Sequence, residues 1–141
     1  MYISDKLSRK KYLGTIITYI GIASFCGLFS AVYEHFSHDV YSDSMIHLFL
    51  YPLIGGASVF ALLWVTGFKY PSGAPVIVYH CGIATLTVGS CLDGIFEIYG
   101  SVSEYVIYYR IIGIMLIAVS AILCAIFRVI YSDTKTTVNS N

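Results

Sequence analysis

The sequence predicts an all-α membrane protein of four transmembrane helices, arranged as two helical hairpins in parallel repeat with both termini cytoplasmic. Three observations carry this prediction. Of 141 residues, 57% are hydrophobic and 11% charged, less than half of the roughly 25% charged residues usual in soluble domains. Four apolar stretches reach the ~20 residues needed to cross a bilayer. Short motifs of the first half recur in the second.

The predicted spans are 12–33, 44–67, 76–99 and 105–128. They take most of the chain and make 1–141 a single domain. The first follows "KLSRKK", a positive flank that a signal peptide would also carry. Its apolar run exceeds the ~7–15 residues of a signal core and no A-x-A site follows, so it reads as a retained helix. The second opens at Ser44 and contains "YPLIG", Tyr51 to Gly55. The third carries "GIFEIYG", Gly94 to Gly100, at its end. The fourth begins near Tyr105 and holds "YRIIG", Tyr109 to Gly113. Residues 132–141 are polar and read as a disordered tail.

Orientation follows from the basic residues. Lys6, Arg9, Lys10, Lys11, Lys69, Arg128 and Lys135 fall on one side and only Arg110 on the other. The positive-inside rule makes that side cytoplasmic, and the expected location is the plasma (inner) membrane. The cysteines, Cys26, Cys81, Cys91 and Cys124, lie within spans without C-x-x-C spacing, and read as small apolar residues. The tyrosines cluster near span ends, as interfacial belts do.

Glu34 in "AVYEHFS" and Glu97 in "GIFEIYG" stand 63 positions apart. At that offset Ser24, Gly27 and Ala31 fall on Thr87, Ser90 and Gly94. The spacing i, i+3, i+7, i+10 is one helical stripe, and small stripes let helices approach closely in a bilayer. "YPLIG" and "YRIIG" correspond at an offset of 58. The expectation is that the first and third spans sit in equivalent environments, each burying its stripe.

The ionisable residues within the spans supply the chemistry. Asp93 and Glu97 are i, i+4 on one face, and Arg110 lies at a depth close to Asp93. A charge in hydrocarbon costs roughly 2.5–3.5 kcal/mol on insertion scales and so takes a partner. Arg110 is expected to pair with Asp93, Glu97 or both, as a structural clamp or as part of a ligand or ion site with Glu34. The loop "YEHFSHDVYSDSMIH" sets His35, His38 and His47 among Asp39 and Asp43. Such spacing suits either a solvated, pH-sensitive cap or a divalent metal ion, the one cofactor the sequence suggests. His80 has no histidine at its own depth and reads as hydrogen-bonded near the interface.

"ATLTVGS", Ala84 to Ser90, with "FEIYG", Phe96 to Gly100, then a short hairpin and a final span, resembles small four-span integral membrane proteins of bacteria. That resemblance implies a bacterial membrane and no activity. Small multidrug transporters also have four spans but rely on a glutamate inside the first, and here no charge precedes Glu34 in that span.

No nucleophile–base pair, phosphate-binding glycine loop or basic patch for nucleic acid occurs. The sequence therefore reads as a non-catalytic interaction or assembly component whose partners are the lipid bilayer and a membrane protein or second copy. The alternative is a small transporter, or a cation- or proton-binding protein, using Glu34, Asp93, Glu97 and Arg110. The topology is checked by a cysteine at Asp43 in a cysteine-free background. Labelling of intact cells by an impermeant maleimide is expected; labelling only after permeabilisation would reverse the orientation.

Overall fold

A computed structural model describes residues 2–36, 43–67, 73–101 and 103–138, with side chains placed for 8–36, 43–44, 47–67, 73–101 and 103–128. The described residues are helical, with helix α1 at Tyr2–Phe36, a single turn α2 at Asp43–Ile46, a π-helical segment at Tyr51–Ser58, α3 at Val59–Val65, α4 at Ala74–Ile98 and α5 at Val106–Val138. Three of these contain stretches long and apolar enough to cross a membrane, at Ser8–Phe36, Ala74–Ile98 and Val106–Arg128. Beyond Arg128, α5 continues as helix to Val138, so residues 132–138 of the predicted tail extend it; no Gly or Pro intervenes to stop it.

The predicted span 44–67 is not one α-helix. Its apolar helix, Tyr51–Val65, is the short one, and a turn over 47–49 separates it from α2. Pro52 is the cause. It has no amide hydrogen to donate to the Leu48 carbonyl four residues back, so the ladder breaks in the turn ahead of it; the helix that resumes runs in wide π turns for 8 residues. Carbonyls within the π segment also take side-chain donors, as irregular backbone at membrane depth does. The Ser58 hydroxyl donates to the Leu53 carbonyl at 3.1 Å, and the Tyr79 hydroxyl of α4 donates to that of Gly55.

The helices form a row. α1 packs on the π segment and α3, the π segment and α2 pack on α4, and α5 packs along α4; among the described residues, the backbone of α5 approaches α4 alone. Burial follows this order, with 33% of the α4 span buried against 22% for α1 and 11% for α5. The outward residues of α5 (Ile107, Ile111, Ile114, Met115 and Ile122 among them) are large and apolar, a surface suited to lipid.

Two small cores hold the row. One gathers Tyr12, Tyr19, Ala57, Phe60, Val76 and Ile83; the other, nearer the C-terminal ends of α1 and α4, gathers Cys26 and Leu48 with Phe29, Tyr33, Cys91 and Ile95 around them. Between α4 and α5 the backbones themselves meet. A Cβ on Gly82 would lie 3.1 Å from the Gly113 carbonyl oxygen, and one on Gly113 would lie 3.2 Å from that of Gly82 and 2.6 Å from Leu86 Cγ. Such approach is what drives association where lipid removes the hydrophobic drive between helices. The Ser120 hydroxyl, buried, donates to the Pro75 carbonyl at 2.7 Å and ties the far end of the same seam.

"GIFEIYG" ends α4 for a backbone reason. Gly100 takes φ 67°, its N–H donates to the Glu97 carbonyl at 3.1 Å, and the Ser101 N–H donates to that of Phe96 at 3.0 Å. This is a Schellman cap, in which a left-handed glycine closes the last turn.

The small stripes are not equivalent. Ser90 and Gly94 are buried and Thr87 half-buried on α4, whereas Ser24 and Ala31 on α1 are exposed. A Cβ on Gly27 would meet nothing within 4 Å. The expectation of matched environments fails because α4 has neighbours on two sides and α1 on one. α1 turns Tyr12, Tyr19, Ala23, Cys26 and Ser30 inward instead. We expect Gly113→Leu to lower unfolding stability in detergent by about 1–3 kcal/mol through overpacking, and Gly27→Leu to leave it unchanged. Equal melting of both variants would mean the α4–α5 seam is not packed as described.

Candidate functional site

The sequence-predicted polar residues gather at the end of the molecule where α1 and α4 finish and α5 starts. Arg110 Nη2 donates to Asp93 Oδ2 at 2.7 Å, with side chains 47% and 29% exposed. The Ser44 hydroxyl donates to the same carboxylate oxygen at 2.9 Å. The Ser90 hydroxyl in turn donates to the Ser44 carbonyl at 2.8 Å. One carboxylate thus joins α5, α4 and α2. Ser44 was not singled out from the sequence, because a serine at a span edge carries no spacing signal; only the fold of the turn before Pro52 brings it to Asp93.

Depth explains why a charge is tolerated there. The 25 residues of α4 rise ~37 Å, and the hydrocarbon core is ~30 Å thick. Asp93 lies five residues before Ile98, ~7.5 Å down the helix, and a bilayer centred on α4 would put it just inside the apolar layer. Glu97 is a turn further out and exposed, and Glu34 is half-buried near the end of α1.

The loop histidines do not assemble around a metal ion among the described residues. His47 Nδ1 donates to the Asp43 carbonyl at 2.6 Å, within its own turn, and His35 meets the Phe36 ring edge-on at 5.9 Å. His38 and Asp39 lie outside the described residues.

A second polar contact lies nearer the other end. The Tyr19 hydroxyl and His80 Nδ1 are 2.5 Å apart, bridging α1 and α4. The His80 ring stacks on Phe60 at 5.3 Å and 22° and meets Tyr79 edge-on at 6.4 Å. The imidazole is therefore a packed, hydrogen-bonded member of an aromatic cluster. Sequence reasoning anticipated a hydrogen bond for His80 but not its partner, since Tyr19 is 61 residues away. Beside this bridge a cleft of 740 Å³ opens between α1 and α4, with Pro52 on its wall.

No protein-family model, curated protein or solved structure matches the chain.

The Asp93–Arg110 contact is tested by a double-mutant cycle. Breaking a buried pair by removing one member costs about 3–5 kcal/mol and an exposed pair is worth about 1 kcal/mol or less. This half-exposed pair should couple between those limits, with Arg110→Leu alone more damaging than Arg110→Leu with Asp93→Leu. Additive losses in detergent melting would mean the two do not interact.

Proposed function

We propose that this protein is a non-catalytic interaction component of a membrane, which docks another transmembrane helix on α1. One observation carries the reading: on the Ser24–Gly27–Ala31 stripe, Ser24 and Ala31 are exposed among the described residues, and a Cβ on Gly27 would meet none of them within 4 Å. In a bilayer such a stripe is favourable when a second helix lies against it, because close backbone approach supplies the packing that lipid tails do not. The other polar features agree with a scaffold. Asp93 is engaged by Arg110 and Ser44, which suits a clamp between helices. The expected cytoplasmic side of both termini rests on the distribution of Lys and Arg, and the plasma membrane on the resemblance to small bacterial membrane proteins.

The transport reading draws on one observation, that Asp93 and Arg110 remain 29% and 47% exposed and lie at the same end as Glu34 and Glu97. It requires those groups to exchange partners during a cycle, and a neutral Asp93/Arg110 double variant that folds but fails in cells would favour it.

The docking reading is tested with a photo-cross-linker at Ala31 in native membranes. A discrete protein adduct is expected, lost on Gly27→Leu and absent when the probe sits at Ile111 on α5. Lipid adducts alone at Ala31 would sink it.

A further inference from the structure

We propose that the cleft between α1 and α4 is a lipid site, which holds one acyl chain of an anionic phospholipid with its headgroup at Lys11. The site is separate from the outward stripe: on a helix of 3.6 residues per turn, the cleft-lining Lys11, Thr15, Thr18 and Ile22 project roughly opposite Ser24, Gly27 and Ala31.

The chemistry of the walls selects the tail. Thr15 and Thr18 on α1 and Thr87 on α4 line the cleft, yet their hydroxyls donate back to the carbonyls of Lys11, Gly14 and Ile83 at 3.0, 2.9 and 2.8 Å. That leaves their methyl groups to join Ile22, Ala84 and Val88 in an apolar lining. A polar solute would find few free donors along this length. At one end, Lys11 borders the cleft next to exposed Arg9 and Lys10. An ammonium above an apolar slot is complementary to an anionic head on a hydrocarbon tail, and each such charge near a membrane surface is worth about a five-fold gain in anionic-lipid binding.

The Tyr19–His80 bridge at 2.5 Å and Pro52 border the cleft, and among the described residues α1 and α4 make no backbone contact with each other.

The test is native mass spectrometry of the detergent-purified full chain, offered equal phosphatidylglycerol and phosphatidylcholine with the same acyl chains. One retained phosphatidylglycerol per chain is expected. Gly14→Phe and, from the opposite wall, Ala84→Phe each fill the cleft and should abolish retention, with helicity by circular dichroism unchanged; a Cβ at Gly14 meets nothing within 4 Å, so that variant should fold. Lys11→Ala should keep a bound lipid but reduce the preference for phosphatidylglycerol about five-fold, while Lys10→Ala should not. Retention that survives both phenylalanine variants overturns the site. Equal effects of Lys10→Ala and Lys11→Ala overturn the headgroup assignment in favour of a diffuse basic surface. A dimer that both phenylalanine variants dissolve, in place of bound lipid, would make a second copy the occupant.

Discussion

Pro52 has no amide hydrogen to give, and much of the architecture is arranged around that lack. A regular helix from Ser44 onward would have been long enough to cross a bilayer and to lie along both α1 and α4. The break instead divides it into one turn, a bend and a shorter helix that begins with π geometry. Wide turns loosen the backbone where Gly55 and Gly56 allow neighbours to come close. Tyr79 supplies a hydroxyl to the Gly55 carbonyl, and Tyr19 lays its ring over Gly56. The aromatic cluster of Tyr19, Phe60, Tyr79 and His80 is thus the complement of the irregular segment. The polar tips of Tyr19 and His80 meet each other, while that of Tyr79 turns to the π segment.

The same break sets the two ends of the molecule. Because the chain turns at 47–49 before the π segment, α2 is free to lie on α4, and Ser44 can reach Asp93. Asp93 then has two donors from two elements, one charged and one neutral, at a depth where the headgroup region begins. This permits a charged residue in an apolar helix without a fully enclosed ion pair, whose desolvation often outweighs its attraction. The α4–α5 seam needs no such polar help through its middle, since Gly82 and Gly113 let the two backbones touch. Polar contacts are placed at its ends, Arg110 with Asp93 at one and Ser120 with Pro75 at the other.

What the sequence made legible is what depends on composition and on local spacing. The helical class, three of the four spans within a few residues, and the contact of Arg110 with Asp93 all follow from apolar length and from matched depth along antiparallel neighbours. The broken second helix was announced only by Pro52, and a proline in an apolar run is compatible with a kinked but continuous helix. Ser44, Tyr19 and Phe60 were not legible as partners, because their contacts depend on how far that break displaces the chain. The stripe comparison misled for a different reason. Spacing shows that residues share a face, not which neighbour the face meets, and Ser24, Gly27 and Ala31 share a face that meets none within the described chain.

A row of helices, unlike a closed bundle, must leave faces for something else to cover, and the character of each face argues for its cover. On α5 the free faces carry branched and aromatic side chains that pack well against disordered tails. On α1 the three sides differ from one another. The aromatic side is satisfied within the chain, the threonine side is an apolar slot with a lysine at its mouth, and the small-residue side is too flat to gain much from lipid. Fluid chains fill an apolar slot at little cost in order, whereas only a second rigid helix can exploit a flat face by bringing backbone against backbone. On the proposed reading the first helix is the element through which this protein would meet both lipid and a partner helix, while Tyr19 holds its aromatic side within the chain.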